Sequence, residues 1–384
     1  MRVAIVGCGF VAALYMRTLP VHPELELVGV LDRDSARAKA FSTYYRVPAY
    51  RTLEELLDDD RVELVINLTN PTSHFEVSSA CLRAGKHVYS EKPLGVTYEE
   101  AEALVRLAED KGLYLSGAPS RLLGDTAQTL WKALRGGVIG KVRLAYCEMD
   151  DGLLHKMNYR RWKSPTGAPW PAKDEFETGC TVEHAGYALT WLAAFFGPAE
   201  SVTAYSNVLV PDKETDEPLE VDAADFSVGL VHFASGVTAR ITNSIVATAD
   251  HSIRIFGDAG VLSTEDCWAP RSPVLLRRRV SLAGRSTMLP FEQRLEFRYD
   301  PEIFRRTPKG LKKVDYCLGP VDLVRAVQAR RPCYLSPRFV LHVNELTLAI
   351  HHARAQGVHM KLRSTFPPVA ADGLGALSEP LPLR

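Results

Sequence analysis

Six residues near the start of the chain, Gly7-Cys8-Gly9-Phe10-Val11-Ala12, constrain the fold more than any other segment. They follow an apolar run at 3–6 and open a helical pattern over 10–19 that Pro20 stops. Between a buried strand and a helix, the first glycine allows a tight turn. The second lets backbone approach a ligand, and Ala12 keeps helix and strand close. The start of such a helix offers unpaired N–H groups and the positive end of its dipole, which suits a phosphate. The next apolar run, 25–31, ends in Asp32-Arg33-Asp34. An acidic residue about twenty positions past the glycines can accept from the hydroxyls of an adenosine ribose. The pattern therefore predicts a dinucleotide seated on Gly7, Gly9, Phe10, Val11 and Ala12, with Asp32 on its ribose. Asp32 would repel a 2′-phosphate, which favours NAD, whereas Arg33 could pair with that phosphate and leaves NADP open.

The same alternation continues. Apolar runs at 62–68, 87–89 and 114–117 read as strands, and helical patterns at 35–45, 72–84 and 97–112 separate them. Strand–helix alternation at this spacing implies a doubly wound parallel sheet covered on both faces, over residues 1–122. Beyond it a helix at 124–136 leads to a long strand at 142–150. A polar stretch rich in Trp and Pro (151–178), a helix at 180–196 and long alternating strands follow. Two of these strands, 226–233 and 237–244, flank Ala-Ser-Gly and read as a hairpin. Residues 123–365 thus read as an α+β domain with a large, mainly antiparallel sheet, closed by helices at 319–330 and 338–356. Residues 366–384 read as a loose tail.

The 46 basic and 46 acidic residues cancel, so no overall field draws the chain to nucleic acid or an anionic membrane. The locally basic stretch 266–313, with Arg277-Arg278-Arg279 in a row, reads as a solvated strand face, with a surface for an acidic partner as the other reading. No apolar run approaches the ~20 residues that span a bilayer. The first residues already read as a strand rather than a leader. The seven cysteines are scattered without a CxxC pair, which argues for reduced thiols in a cytoplasm and against a zinc site. The histidines lack helical metal spacing, so no metal is expected.

Three further segments carry a resemblance: Thr69-Asn70-Pro71-Thr72-Ser73-His74, Glu91-Lys92-Pro93, and the stretch 179–197. In their order and spacing they make the chain resemble the glucose–fructose oxidoreductase / inositol dehydrogenase / rhizopine-catabolism (Gfo/Idh/MocA) family over roughly 1–365. The resemblance implies that Glu91 and Lys92 lie near the nicotinamide ribose and the reacting carbon. It places Thr69, Asn70, Pro71 and His74 along the cofactor and Arg121 near its nicotinamide end. A buried structural role is an equal reading of His74. The family usually shows Asp-x-Gly-x-His in the second domain. Here the segment is Glu183-His184-Ala185-Gly186-Tyr187, with Glu183 at the aspartate position and Tyr187 at the histidine position. Sugars, cyclitols, glycosides or their keto forms are the substrate class the resemblance implies.

Hydride exchange with an alcohol carbon requires a held cofactor, a departing proton and a stabilised oxygen. Lys92 can hold the oxygen. Tyr187 can pass the proton, its high pKa lowered by a nearby ammonium. Spacing of four puts Glu183 and Tyr187 on one helix face. His184 is a rival proton carrier, and Lys92 alone is a third. Arg160 and Trp162, in the stretch ahead of this helix, are candidates for binding a polyhydroxylated ring. A surface loop packed by its tryptophans is an equal reading of that stretch. Besides a sugar or cyclitol dehydrogenase, two functions remain open: a glycosidase or imine reductase using the same cofactor, and a non-catalytic dinucleotide sensor. The antiparallel sheet needs cover on its outer face, so a homodimer or homotetramer is expected.

Overall fold

The computed structural model describes residues 1–221, 223–269, 271–282, 284–295 and 314–369. The first sheet contains β1 (Arg2–Val6), β2 (Glu26–Leu31), β3 (Leu64–Asn67), β4 (His87–Ser90) and β5 (Leu115–Gly117). Its order is β2-β1-β3-β4-β5, and every pairing is parallel. The strands are short unbroken apolar runs because both faces are covered. Val3, Ile5 and Ile66 point to one layer, with Tyr15 and Phe41. Ala4, Val6, Val65 and Val88 point to the other, with Leu82 and Leu104. The order reverses between β1 and β3, so their carboxyl ends splay into the crevice where doubly wound sheets take ligands.

Helix Leu318–Ala329 belongs with this sheet: Val321, Leu323 and Val324 are buried in the layer that holds Tyr15. Chain order alone groups it with the second domain. The basic stretch is described at Arg277, Arg278 and Arg279, where Arg277 and Arg279 are exposed. Of the C-terminal segment, Phe366 is buried against Phe339, ring centroids 4.9 Å apart. Residues 370–384 lie outside the described residues.

The second sheet begins with β6 (Val142–Asp150), β7 (Ala199–Asn207), β8 (Phe226–Phe233) and β9 (Thr238–Ser244). It continues through β10 (Ile253–Gly257), β11 (Gly260–Thr264), β12 (Val274–Leu282), β13 (Arg285–Met288), β14 (Gln293–Leu295) and β15 (Val358–Lys361). Its order is β13-β12-β11-β10-β6-β9-β8-β7-β15, with β14 on β12. All pairings are antiparallel except β6 with β9. The hairpin read at 226–244 is present. Helices Gly186–Phe196 and Pro337–His351 pack on one face of this sheet and bury Trp191, Leu189, Leu346 and Ile350.

A departure from the sequence expectation lies in the segment read as the start of the 180–196 helix. Thr181–Ala185 is a π-helical turn, and the α-helix begins only at Gly186. Single π turns are rare and gather at functional sites. Here the turn is held from outside the helix, by Cys180 N–H on the Ala224 carbonyl at 3.0 Å and Thr181 Oγ1 on Ser227 Oγ at 2.8 Å.

Candidate active site

A cavity of about 750 Å³ opens over the carboxyl ends of β1, β2 and β3, lined by Gly7, Gly9, Asp32, Arg33, Thr69 and Asn70 among others. Gly7 has φ +98°, and a Cβ there would stand 2.4 Å from the Leu68 carbonyl oxygen. A Cβ on Gly9 would meet nothing within 4 Å, which leaves room for a ligand against the backbone. The helix Phe10–Thr18 starts here without a side-chain cap, so its first N–H groups remain for a ligand. An open cradle, an uncapped helix start and an acid at the rim fit a dinucleotide.

Asp32 is more occupied than its motif role implies. Oδ2 accepts from the Cys8 N–H and Oδ1 from the Asp34 N–H, both at 2.8 Å, and the Arg37 guanidinium lies 3.5 Å away. Each carboxylate oxygen can accept twice, so ribose hydroxyls can still bind. Asp32→Ser removes the charge that opposes a 2′-phosphate and leaves Arg33 and Arg37 nearby. The expected outcome is a shift of roughly tenfold or more, about 1.4 kcal/mol, in the NADPH:NADH affinity ratio towards NADPH. Fluorescence transfer from tryptophan to bound reduced nicotinamide measures it. An unchanged ratio contradicts the role given to Asp32.

The loops after β3 and β4 are tied together. Asn67 Oδ1 accepts from Thr69 Oγ1 at 2.7 Å, and its amide donates to the His74 carbonyl and Ser78. His74 is buried, with Nδ1 2.7 Å from the Pro93 carbonyl and Nε2 2.9 Å from the Thr69 carbonyl. Burial pulls its pKa down. With both nitrogens engaged, His74 takes its structural reading: it joins the two loops from behind. Asn70 stands just before the short 3-10 turn Pro71–Ser73 and reaches the second domain, where its Nδ2 donates to Asp174 Oδ2 at 2.8 Å. Glu91 accepts from the buried Tyr15 hydroxyl at 2.7 Å and from the Lys92 N–H at 3.0 Å. The loop behind Lys92 is clamped by Asn344, which bonds Leu94 N–H at 2.9 Å and the Gly95 carbonyl at 3.1 Å.

Lys92 Nζ donates to Glu183 Oε2, joining the two domains. Both side chains are largely buried. Burial works against the Lys92 ammonium, but Glu183, Tyr187, Glu175 and Glu91 hold its pKa above the usual lysine range. Burial also pushes the Glu183 carboxyl up, to about 7, against the pull of Lys92 and with the help of Glu175. A carboxyl there is matched to proton exchange at neutral pH.

Tyr187 and His184 point to different surroundings. The Tyr187 ring meets Trp268 edge-on at 5.1 Å, and the Arg121 guanidinium lies 5.1 Å from its centroid. Arg121 also faces Tyr316 and donates to the Trp268 carbonyl. Burial pushes the Tyr187 phenol up, outweighing the downward pull of Lys92 and Arg121. This reverses the lowering expected from sequence and makes the hydroxyl a donor. His184 sits between two carboxylates, Nδ1 2.8 Å from Asp151 Oδ2 and Nε2 3.1 Å from Glu175 Oε1. Burial opposes the imidazolium, but Asp151 and Glu175 push its pKa up to about 10. An imidazole already protonated at neutral pH is a poor first base.

Arg160 and Trp162 are not brought to Lys92. Arg160 pairs with Asp216 at 2.7 Å on the surface, and Trp162 is partly exposed, edge-on to Trp170 at 5.3 Å. From the same stretch it is Asp151 and Glu175 that reach the site. Sequence reasoning missed these two, and also Asn67, Asn344, Trp268 and Tyr316. All seven cysteines are free and buried. Among the described residues no group of three or more His, Cys, Asp or Glu is placed to hold a metal ion, and no helix is long and apolar enough to cross a membrane.

Residues 1–118 match the oxidoreductase family with an NAD-binding Rossmann fold, and residues 127–263 match the Gfo/Idh/MocA C-terminal domain. The chain belongs to the Gfo/Idh/MocA family and is an NAD(P)-dependent oxidoreductase. It is 26% identical to trans-1,2-dihydrobenzene-1,2-diol dehydrogenase of Mus musculus, over 72% of this chain and 78% of that one. It is 32% identical to the scyllo-inositol 2-dehydrogenase (NADP(+)) of Bacillus subtilis, over 40% of each. An oxidoreductase from Agrobacterium radiobacter, solved with NAD+, L-tartaric acid and magnesium, superposes with a TM-score of 0.72 at 15% identity, over 94% of this chain and 98% of that one.

Proposed function

We propose that the chain exchanges a hydride between NAD(P) and a secondary alcohol or ketone carbon of a cyclic polyol or sugar. The observation that carries this is the buried Lys92–Glu183 pair, standing past the end of β4 on the ligand side of the first sheet. The bound nicotinamide supplies the hydride acceptor or donor. Lys92, held as an ammonium, donates to the substrate oxygen and stabilises the charge that develops on it. Glu183 takes the alcohol proton through Lys92 during oxidation and returns it during reduction. Tyr187 donates its phenolic hydrogen to a neighbouring oxygen of the substrate. His184 stays outside the primary step because its proton is already in place. The names of two relatives, a cyclic diol dehydrogenase and an inositol dehydrogenase, support a ring bearing vicinal hydroxyls.

The test is appearance of reduced nicotinamide when the protein and NAD+ or NADP+ meet scyllo-inositol, myo-inositol or trans-1,2-dihydrobenzene-1,2-diol. Turnover of at least one, absent in Lys92→Ala, is expected. No reduction with any of the three at saturating dinucleotide contradicts the proposed substrate class.

We also infer a homodimer or homotetramer formed through the outer face of the second sheet. Residues 226, 228 and 230 of β8 point away from the packed helices, and Leu230 is 50% exposed at mid-strand. Light scattering should return twice the 42.5 kDa chain mass or more. A 42.5 kDa particle at micromolar concentration contradicts it.

A further inference from the structure

Arg121 brings to the site a cation that the hydride step does not use. It opens the 3-10 turn Arg121–Leu123 just past β5, on the ligand side of the first sheet. Its loop packs on the start of helix Gly186–Phe196, where a Cβ at Gly186 would stand 3.6 Å from Pro119 Cδ. The guanidinium carbon lies 5.1 Å from the centre of the Tyr187 ring, 5.5 Å from that of Trp268 and 5.9 Å from that of Tyr316. Burial raises the Tyr187 and Tyr316 phenols, and Lys92 and Arg121 both pull them down. Both cations thus act on the same two rings, which sets Arg121 beside the reacting pair. The acids around Arg121 are engaged elsewhere. Glu91 accepts from the Tyr15 hydroxyl and the Lys92 N–H. Asp125 pairs with Arg271 at 3.5 Å, and Asp266 accepts from the Trp268 and Ala269 N–H groups at 2.7 and 2.9 Å. Among the described residues no carboxylate pairs with Arg121, whose side chain donates from Nη1 to the Trp268 carbonyl. Its Nε is buried without a partner.

We propose that Arg121 selects a substrate bearing a carboxylate, so that the preferred substrates are acids of cyclic polyols or sugars. The inference rests on the hydride-transfer function proposed above and narrows its substrate class. A buried cation without an anion is costly, and a ligand that supplies the missing charge recovers that cost on binding. Contacts with three aromatic rings offset only part of it. The N–H groups of a guanidinium lie in one plane, in a fork that matches the two oxygens of a carboxylate. A carboxylate suits this place better than a phosphate. The Glu91 charge also reaches Tyr187 and Tyr316, and it opposes the nearly double charge of a phosphate more than the single charge of a carboxylate. With the carboxylate on Arg121 and the reacting oxygen on Lys92, the substrate is held at two points. That fixes its rotation over the nicotinamide, which an alcohol held by Lys92 alone lacks.

The test compares quinate and D-glucuronate, each with its methyl ester, which keeps the ring and hydroxyls but not the charge. The first arm measures equilibrium binding to the full chain loaded with NADH and needs no turnover. At least one acid should bind the wild type roughly tenfold or more tighter than its ester. In Arg121→Met, which keeps a long side chain among the rings, that ratio should fall to within about threefold of unity while NADH affinity holds. Equal binding of acid and ester by the wild type overturns the proposal, as does a preference that survives in Arg121→Met. A loss of NADH affinity with the acid preference intact assigns the arginine to the cofactor and also overturns it. If Arg121→Met does not fold, Arg121→Lys takes its place: loss of the fork should lower the ratio by about threefold or more, and an unchanged ratio overturns the proposal. The second arm follows whichever acid is oxidised. Arg121→Met should lower its kcat/KM roughly tenfold or more and spare that of its ester, whereas an equal loss for both marks a merely structural arginine and overturns the proposal. If neither these compounds nor the three alcohols named above reduce the dinucleotide, the hydride-transfer reading fails, and the binding ratio still decides what Arg121 holds.

Discussion

Lys92→Ala is expected to lower turnover by about 10²–10⁴-fold, the range for loss of a positioned proton or oxyanion donor. The substitution removes the charge-assisted hydrogen bond to the substrate oxygen, which strengthens as charge develops there. It also leaves Glu183 buried without its cation, and the carboxyl then takes up a proton more readily. Both effects fall on kcat rather than on dinucleotide affinity, because the dinucleotide contacts at Gly7, Gly9 and Asp32 are untouched. Lys92→Arg should not restore activity, since a planar guanidinium cannot reproduce a compact ammonium between Glu183 and the substrate. The check is kcat with a verified alcohol, alongside an NADH titration. Full turnover in Lys92→Ala with unchanged NADH binding would mean that the reacting centre lies elsewhere.

Glu183→Gln is expected to cost a similar factor, about 10²–10⁴ in kcat/KM for oxidation, and to remove a limb of the pH profile. Oxidation needs the deprotonated carboxylate, and burial pushes that carboxyl up to about 7. Wild-type kcat/KM for oxidation should therefore rise as pH increases through about 7 and then level off, whereas ketone reduction should fall over the same interval. Glutamine keeps the size and the hydrogen bond to Lys92 but has no titrating proton, so the rise should vanish in that variant. Tyr187→Phe retains the ring contact with Trp268 and deletes only the hydroxyl; it should cost less and leave the limb in place. If Tyr187→Phe removes the limb and Glu183→Gln keeps it, the tyrosine is the proton carrier.

The first domain was legible because its signals are local. Glycines 7 and 9, the strand before them and Asp32 all lie within one short stretch of chain, and each has a backbone reason to be there. Lys92 and Glu183 were legible through the resemblance, which supplies a register across 91 positions that no local pattern gives. What the sequence concealed is long-range or depends on rare geometry. Asp151 and His251 are 100 positions apart and meet only because β6 pairs with β10. Trp268 enters from the connection after β11, and helix Leu318–Ala329 returns to the first sheet between β14 and the last helix and strand of the second domain. The π turn at Thr181–Ala185 has no propensity signature, because it is imposed by partners outside the helix. Arg160 and Trp162 were plausible ring-binding residues by composition. Their carboxylate and aromatic partners, Asp216 and Trp170, were not recognisable as such until the chain was folded. The neighbouring Glu175 has no local sequence signal that marks it out, yet it is buried against His184.

The most direct measurement is a crystal structure of the Glu183→Gln protein with NAD+ and an alcohol it binds. The expected arrangement has the reacting carbon facing C4 of the nicotinamide, its oxygen within about 3 Å of Lys92 Nζ, and the residue at 183 on the far side of that ammonium. An alcohol bound with its carbon against C4 but its oxygen directed away from both Lys92 and residue 183 would contradict the assignment of this pair as the reacting centre.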